Sequence, residues 1–256
     1  RGADTLRASL DDPREGTILT VAHETAVAAE RAATESQDLS GFAQQMLSES
    51  ETALARTPEL LDVLKQAGVV DAGLRWSGGK THLVSLGDLL DRGADSRKVM
   101  DLLMRLQGEA AAAGGRVHVV LGNHEAMNVL GDLRYVDPGE YAAYAAEEDV
   151  AERARAKTAF LTRQAGTTEA DFERLFPPGY FGHRRMLGPE GRYGQWLLQL
   201  PVAIKVNDTV YMHGGPSSVL TGRNLEQLNR EYRAALQNYL AAEGALRKAG
   251  LLHFED

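Results

Sequence analysis

The chain has 256 residues, of which 43% are hydrophobic and 25% charged, and its formal net charge is -8. This length allows one large or two small domains, and the acidic balance argues against nucleic acids and anionic membranes as partners. The absence of cysteine excludes disulfides, thiolate zinc sites and a cysteine nucleophile. No apolar run reaches the roughly 18 residues of a membrane span and no signal peptide opens the chain. We therefore expect a cytoplasmic protein, with the periplasm as the alternative.

Residues 1–73 read as an all-helical segment. Apolar residues recur at helical spacing over 18–29 and 42–54, which predicts two amphipathic helices. The sequence T-P-E at 57–59 predicts the start of a third, with threonine as N-cap and proline at the first helical position. We interpret His23 as an ordinary helix residue rather than a ligand.

The next segment has the pattern of a βαβ unit. An apolar run over 83–86 ends in Gly-Asp, and a second run over 117–121 ends in Gly-Asn-His. Between them, Asp95 is the predicted N-cap of a helix. Two strands joined by a crossover helix are expected to be parallel neighbours. The apolar residues of the predicted helix are Val99, Leu102, Leu103 and Leu106.

The remainder of the chain is predicted to be mostly helical. A polar insert over 140–157 reads as a single helical run, and a capping box is indicated over 168–171. Residues 202–206 and 209–212 read as the strands of a β-hairpin with a two-residue turn. One amphipathic helix is predicted over 224–248.

Polar side chains follow three of the predicted strands. Asp88 and Asn123 come after the first two, and His213 comes after the strand over 209–212. Polar groups beyond the carboxyl ends of neighbouring strands collect in one crevice of an α/β sheet. A carboxylate, a carboxamide and an imidazole suit Mn, Fe or Zn, and a carboxylate can bridge two such ions. Each motif alone is more often an ordinary turn, so the order and placement of all three carry the prediction of a metal site.

Residues near this site supply the remaining chemistry. The guanidinium fork of Arg92 fits a phosphate group, and His124 could protonate a leaving alkoxide. Asp91 or Glu125 could hold the other ring nitrogen of His124 and so fix its tautomer. A metal lowers the pKa of bound water toward about 7, so the predicted reaction is metal-assisted phosphoester hydrolysis.

The motifs G-D-L-L-D-R-G (87–93), G-N-H-E (122–125) and H-G-G (213–215) resemble those of the calcineurin-like metallophosphoesterases. The stretches W-S-G-G-K-T-H-L-V, M-N-V-L-G-D-L-R-Y-V and Y-G-Q-W-L are similar to the bacterial-type branch of the phosphoprotein phosphatases, the Shewanella-like phosphatases. This likeness covers residues 74–256. It implies an α/β fold with central β-sheet layers flanked by helices, and a phosphorylated small molecule or protein as substrate.

The resemblance also assigns roles to individual residues. It implies metal binding by Asp88, Asn123 and His213, with Asp88 bridging the two metals and the other two residues on the second metal. It implies catalysis by His124, Asp91 and Arg92, with His124 as general acid and Asp91 as its partner. Substrate binding would fall to Arg92 and Asn123. Arg184 and Arg185 either add positive charge near this site or lie on the surface, and we favour the surface.

Two ligand motifs of the family are missing from the sequence. An Asp-x-His-Gly loop is expected on an earlier strand, yet none of the seven histidines has an aspartate two residues before it. A final Gly-His loop after His213 is also absent. The family implies two divalent cations, but the first-metal site keeps only Asp88 of its expected ligands. One cation or fewer is therefore possible here.

The N-terminal stretches G-T-I-L-T-V-A-H-E-T-A, A-L-A-R-T-P-E-L-L and L-K-Q-A-G-V-V-D-A-G resemble the helical ATP-binding domain of the dihydroxyacetone-kinase type, as in bacterial fatty acid kinases. The Mg-binding aspartate loop of that domain is not found. The two resemblances imply a kinase-type helical fragment over 1–73 and a metallophosphoesterase domain over 74–256. We favour a bacterial metal-dependent phosphatase. The alternatives are an inactive module that binds metal or phosphate and a kinase-associated helical module; the sequence does not predict an oligomeric state.

Overall fold

The computed structural model shows two compact units, which divide between Thr81 and His82. The predictions made for residues 1–59, that for His23 among them, lie outside the described residues. The structure describes residues 60–163, 166–215, 220 and 222–253.

The described part of the first unit contains helix α1 (Leu60–Gln66) and a turn. The chain leaves the helix through Gly68, whose φ of 67° favours glycine. Val70 then forms an antiparallel bridge with Trp76. The hydroxyl of Ser77 donates to the carbonyl of Gly68 at 3.0 Å and fixes the turn against the helix end.

The second unit begins with the predicted βαβ arrangement. Strand β1 (His82–Ser85), helix α2 (Ser96–Ala112) and strand β2 (Arg116–Val119) follow one another in the chain. The strands are parallel neighbours, with Leu83 opposite Val117. The predicted βαβ unit and the α/β class are therefore confirmed.

The N-terminus of α2 begins after Asp95, as predicted, but Asp95 does not cap it. Its side chain makes no capping hydrogen bond and instead lies 2.6 Å from the ammonium of Lys98. The N–H groups of Ser96 and Arg97 both donate to the buried carboxylate of Glu140, each at 3.1 Å. A carboxylate placed there compensates unpaired N–H groups at the positive end of the helix.

The buried face of α2 lies about one position from the predicted one. Leu103 and Leu106 are buried as expected, whereas Val99 and Leu102 are only half-buried. Packing against β2 decides which face of α2 is buried. The spacing of the apolar residues alone does not define that face to within one residue. The buried apolar residues are Met100, Leu103, Leu106 and Ala110.

Helices dominate the rest of the second unit. The helix predicted over 224–248 is confirmed as α9, which begins after its N-cap Asn224. The capping box that closes Thr168 and Asp171 on each other is also confirmed. The elements are α3 (Asn123–Leu130), α4 (Pro138–Ala142), a 3₁₀ turn (Ala145–Glu147), α5 (Val150–Arg163), α6 (Glu169–Leu175), α7 (Tyr180–Leu187), α8 (Arg192–Leu197) and α9 (Leu225–Lys248).

The single helical run predicted over 140–157 is wrong, because the chain breaks at Glu148 and Asp149. The carboxylate of Asp149 accepts N–H groups from the first turn of α5, at 2.8 Å from Ala151, and so starts a new helix. The carboxylate of Glu148 accepts the N–H of Gly179 at 2.9 Å. This contact ties the break to the start of α7, and an aromatic cluster lies beside it. The cluster consists of Phe160, Phe172, Phe176 and Phe181 with Ala156.

The predicted hairpin is present as β3 (Ala203–Val206) and β4 (Thr209–Met212), joined by a turn in which Asn207 has a φ of 52°. Within the described residues the hairpin forms its own two-stranded sheet, so β4 is not a third strand of the β1–β2 sheet. The two sheets meet where the N–H of Leu121 donates to the carbonyl of Pro201 at 2.8 Å.

None of the described helices is long and apolar enough to cross a membrane. The prediction of a cytoplasmic or periplasmic location stays a prediction.

Candidate metal centre

A strained loop follows β1 and carries the first candidate ligand. Asp88 has a φ of 54°, and Asp91 and Arg92 have φ values of 73° and 59°. Side-chain-bearing residues in this left-handed region cost on the order of 1 to 3 kcal/mol each. The loop therefore depends on contacts from outside itself.

Glu125 on α3 provides these contacts. Its fully buried carboxylate accepts the N–H groups of Asp88 at 2.9 Å, Leu89 at 2.6 Å and Gly122 at 2.7 Å. Burial raises the pKa of Glu125, and the three N–H donors act in the opposite direction. Glu125 thus clamps the loop after β1 to the loop after β2, whereas one sequence-based alternative had placed it on His124.

Gly122 allows the two loops to touch. A Cβ atom at this position would lie 2.7 Å from the backbone nitrogen of Asp88 and 2.6 Å from the Glu125 carboxylate. These distances are shorter than van der Waals contact, so any side chain here would push the loops apart. The glycine of the G-N-H-E motif is needed for this close approach.

The side chains of Asp88, Asn123 and His213 converge at the ends of their elements. His213 Nε2 lies 2.9 Å from Asn123 Oδ1 and 3.3 Å from Asp88 Oδ2. The other ring nitrogen, Nδ1, lies 2.8 Å from the carbonyl oxygen of Leu86. The predicted neighbours are therefore close in space although they lie 35 and 90 residues apart in sequence.

This donor set fits a divalent cation. The carbonyl of Leu86 can only accept, so Nδ1 of His213 carries a proton, and in the neutral ring Nε2 presents a lone pair. That lone pair faces the oxygens of Asn123 and Asp88, and an arrangement of three acceptors is stabilised by a positive charge among them. Metal–ligand bonds of about 2.1 Å place donors on one ion roughly 3 Å apart, close to the separations seen here. In the part of the chain that the structure describes, no group of three or more His, Asp or Glu side chains could hold a metal ion, so a cation here would need the carboxamide of Asn123 as its third donor.

His124 and Asp91 form a buried pair beside the three donors. His124 Nδ1 lies 2.5 Å from Asp91 Oδ2, and the Asp91 side chain is 1% exposed. Of the two partners predicted for His124, the structure therefore has Asp91 at the ring nitrogen. The backbone N–H of His124 also donates to Asp88 Oδ1 at 3.3 Å, which links the pair to the donor set.

Arg92 lies over an aromatic ring next to His124. Its guanidinium carbon is 5.6 Å from the ring centre of Tyr135, within cation–π range. The backbone N–H of Arg92 donates to the backbone carbonyl of Tyr135 at 3.0 Å. The rings of Tyr135 and His124 are 5.3 Å apart. Arg92 is exposed, so its charge can reach an anion bound near His124.

The two arginines of α7 have different surroundings. Arg184 donates to the carbonyl of Asn128 at 3.0 Å and fills the space above Gly131, and burial lowers its pKa. Arg185 is exposed and pairs with Glu152 at 2.6 Å, in agreement with the surface role favoured from the sequence. Arg184 instead supports the C-terminal end of α3, whose N-terminal end carries Asn123.

Three residues near the centre were missed or given another role in the sequence analysis. Glu125 was proposed only as a partner of His124, and Asn128 and Tyr135 were not considered. Asn128 follows His124 by four residues, the spacing at which side chains on a helix meet, so a helix starting at Asn123 would have indicated it. No local pattern indicates Tyr135, because its contact with His124 depends on how the chain returns after α3.

The βαβ unit and the donors at its strand ends are features of the metallophosphoesterase fold. Residues 53–250 match the family of calcineurin-like phosphoesterases, and the chain belongs to this family. The chain is 30% identical over 188 residues to the Shewanella-like protein phosphatase 2 of Arabidopsis thaliana. The aligned residues cover 70% of this chain and 48% of that protein. A solved structure of the cold-active protein-tyrosine phosphatase of a psychrophilic Shewanella species has 33% identity and a TM-score of 0.50, over 69% of this chain and 44% of that one.

The chain spans about half the length of the phosphatases that it matches. Its N-terminal part has a separate likeness: residues 4–77 match the DAK2 domain. In that part the chain is 44% identical over 72 residues to Protein YloV of Bacillus subtilis, which covers 28% of this chain and 13% of that protein. Both resemblances expected from the sequence are confirmed.

Proposed function

We propose that the protein is a metal-dependent phosphomonoester hydrolase that acts on phosphorylated small molecules or proteins. The observation that carries the proposal is that Asn123 Oδ1 and Asp88 Oδ2 both lie within 3.3 Å of His213 Nε2, next to the buried His124–Asp91 pair. Family membership and similarity to named protein phosphatases support the same reaction class. We propose Mn, Fe or Zn as the cation because a mixed oxygen and nitrogen donor set suits these metals.

Each residue has a distinct part in the proposed reaction. Asp88, Asn123 and His213 would hold a divalent cation, which supplies a Lewis acid and lowers the pKa of bound water. Arg92 would bind the phosphate oxygens with its guanidinium fork, and the carboxamide of Asn123 would help to orient the phosphate. His124, held through Nδ1 by Asp91, would use Nε2 to protonate the leaving oxygen.

Hydrolysis of p-nitrophenyl phosphate tests the proposal. We expect added Mn²⁺ to stimulate the release of p-nitrophenol and Asp88→Asn to abolish this stimulation, because the substitution removes the charge from one donor. Asp208→Asn, in the exposed turn of the β3–β4 hairpin, is the matched control and should behave as the unchanged protein. Release that persists undiminished in Asp88→Asn would reject the proposed site.

A binding module without turnover is the second candidate. The observation that favours it is that no group of three or more His, Asp or Glu side chains in the described part of the chain could hold a metal ion, whereas the family implies two cations. Metal content measured by mass spectrometry after dialysis, together with the p-nitrophenyl phosphate assay on the same sample, separates the two candidates. Bound metal with hydrolysis favours the hydrolase, and bound metal without hydrolysis favours the binding module.

We also propose that residues 1–73 and 74–256 are separate domains, as the two family matches over 4–77 and 53–250 suggest. A kinase-associated role of the first domain predicts that ATP raises the melting temperature of the protein. An unchanged melting temperature at saturating ATP and Mg²⁺ would argue against that role.

A further inference from the structure

Asn128 makes two hydrogen bonds to the His124–Asp91 pair. It lies one helical turn after His124 in α3 and is 1% exposed. Its Nδ2 group donates to Asp91 Oδ1 at 2.9 Å and to the backbone carbonyl of His124 at 3.0 Å. Both hydrogens of the carboxamide nitrogen are therefore used within the pair.

The orientation of this carboxamide follows from its partners. The oxygen of a peptide carbonyl can only accept hydrogen bonds, and so can the oxygens of an ionised carboxylate. A flipped carboxamide would turn its own oxygen toward both acceptors and lose both bonds. Asn128 thus presents a donor to Asp91 Oδ1 while His124 occupies Oδ2.

Asp91 needs this support because no regular element holds it. It lies in the loop after β1 with a φ of 73°, so its backbone is itself strained. The helix α3, in contrast, is fixed at both ends, by Glu125 in its first turn and by Arg184 on the carbonyl of Asn128. Asn128 transfers this rigidity from the helix to the carboxylate.

We propose that Asn128 is a positioning residue. It holds Asp91 so that the Nδ1–H group of His124 stays hydrogen-bonded to the carboxylate and Nε2 points to the leaving group. The catalytic part rests on the proposed phosphatase function. In the step concerned, the oxygen of a hydroxide ion forms a bond to phosphorus as the P–O bond to the leaving group breaks. The proton on Nε2 of the His124 imidazolium moves to the leaving oxygen, which leaves the imidazole neutral with its Nδ1 proton still hydrogen-bonded to Asp91.

The first test measures the position of the pair without any turnover. Proton and nitrogen NMR of the metal-free full chain detects the Nδ1 proton of His124, which a short hydrogen bond to a carboxylate shifts to low field. His124→Asn identifies the signal by removing it. We expect Asn128→Leu and the isosteric Asn128→Asp to remove it or move it toward higher field.

The matched control is Asn229→Leu. Asn229 also uses its carboxamide to hold backbone groups, accepting from Val202 and Ala203 at 2.8 and 3.1 Å, but it lies outside the site. The Asn229→Leu variant should be less stable than the unchanged protein, while the low-field signal of the His124 Nδ1 proton stays in place. A signal that is unchanged in both folded Asn128 variants would overturn the proposal, whether or not the protein hydrolyses any ester.

The second test uses leaving groups that differ in their need for a proton. The p-nitrophenolate ion leaves unaided because the nitro group delocalises its charge, whereas phenolate needs protonation. We expect Asn128→Asp to lower kcat on phenyl phosphate by about ten- to a hundredfold, as is typical of second-layer contacts, and to change kcat on p-nitrophenyl phosphate much less. Equal losses on both esters would overturn the role in proton transfer, and a wild type that is inactive on both would reject the phosphatase function while the NMR result still decides the position of Asp91.

Discussion

The loop after β1 and the helical insert over 138–187 are each fastened by a buried glutamate. Glu125 accepts three N–H groups that belong to the two loops of the candidate site, whereas Glu140 accepts two N–H groups at the start of α2. Burial is the largest cause that raises the pKa of both carboxyls. The segments that they hold differ, because Glu125 holds a strained backbone and Glu140 holds an ordinary helix end.

This difference teaches where the molecule keeps conformational strain. In the insert, α5 begins at a local cap from Asp149, and α6 begins at the local box of Thr168 and Asp171. In the site loop, three residues with side chains have positive φ, and the acceptors for the N–H groups of Asp88 and Arg92, in Glu125 and Tyr135, lie more than thirty residues later. A loss of Glu125 should therefore affect both stability and function, and a loss of Glu140 should affect stability alone.

The largest effect is expected for Glu125→Gln. The amide nitrogen would face at least one backbone N–H of Asp88, Leu89 or Gly122, and an unpaired buried donor costs about 1 to 3 kcal/mol. We expect the free energy of unfolding in urea to fall by about 2 to 4 kcal/mol. Hydrolysis of p-nitrophenyl phosphate should be lost as well, because the loop that carries Asp88 relaxes.

The comparison would break if Glu125→Gln lowered stability but left the kinetic constants unchanged. Glu140→Gln, discussed below, is the matched substitution. Both remove one charge from a buried carboxylate that accepts N–H groups, so a difference in activity between them reports on the loop.

The second largest effect concerns His183 in the insert, at acidic pH. This imidazole is 2% exposed, packs edge-on against Tyr144 with ring centres 5.0 Å apart, and its Nδ1 has no partner among the described residues. Burial, with a smaller contribution from Arg184, lowers its pKa to about 3. The folded protein therefore keeps the ring neutral where the unfolded chain, with a pKa of about 6.5, takes up a proton.

The sign of the pH dependence follows from this difference. The unfolded state binds more protons between pH 6.5 and 3, so stability falls as the pH falls through this window, by about 1.4 kcal/mol per pH unit. We expect His183→Leu to flatten this slope. The free energy of unfolding of the variant, minus that of the unchanged protein, should therefore be larger at about pH 5 than at pH 7.5. Urea unfolding at both pH values measures this difference, with His82→Leu, at an exposed residue of β1, as control. A slope that His183→Leu leaves intact would contradict the assignment.

The third effect is that of Glu140→Gln. The amide can accept only one of the N–H groups of Ser96 and Arg97, and the negative charge at the N-terminus of α2 is lost. We expect the free energy of unfolding to fall by about 1 to 2 kcal/mol, as for the loss of a helix cap, with kcat and KM unchanged. Altered kinetic constants would show that the insert and the site loop are not independent.

The elements that the sequence predicted correctly are those with a local cause. The βαβ unit has apolar runs that end in glycine, the β3–β4 hairpin has a two-residue turn at Asn207, and the box of Thr168 and Asp171 closes on itself. The break of the insert at Glu148 was missed, because the partner Gly179 of its carboxylate lies 31 residues later. A long-range hydrogen bond leaves no periodic pattern in the sequence.

The same distinction holds for the candidate site. The strand-end rule brings Asp88 and Asn123 together, and it led to His213, although β4 belongs to a separate sheet. The positive φ values of the loop, the clamp by Glu125 and the position of Tyr135 beside His124 depend on contacts between distant segments. Residue type and spacing therefore indicated which side chains come together, and the structure adds what holds them in place.

The smallest effect is expected in the hairpin turn, where Asn207 has a φ of 52° without support from a buried group. Glycine adopts this conformation without the steric cost of a Cβ atom, but it also gains more freedom in the unfolded chain. The two effects nearly cancel for asparagine, which tolerates the left-handed region better than other residues. We expect Asn207→Gly to change the free energy of unfolding by less than about 0.5 kcal/mol and Asn207→Val to lower it by about 1 to 2 kcal/mol. Urea unfolding checks both, and equal stabilities for the glycine and valine variants would show that the positive φ of this turn costs nothing.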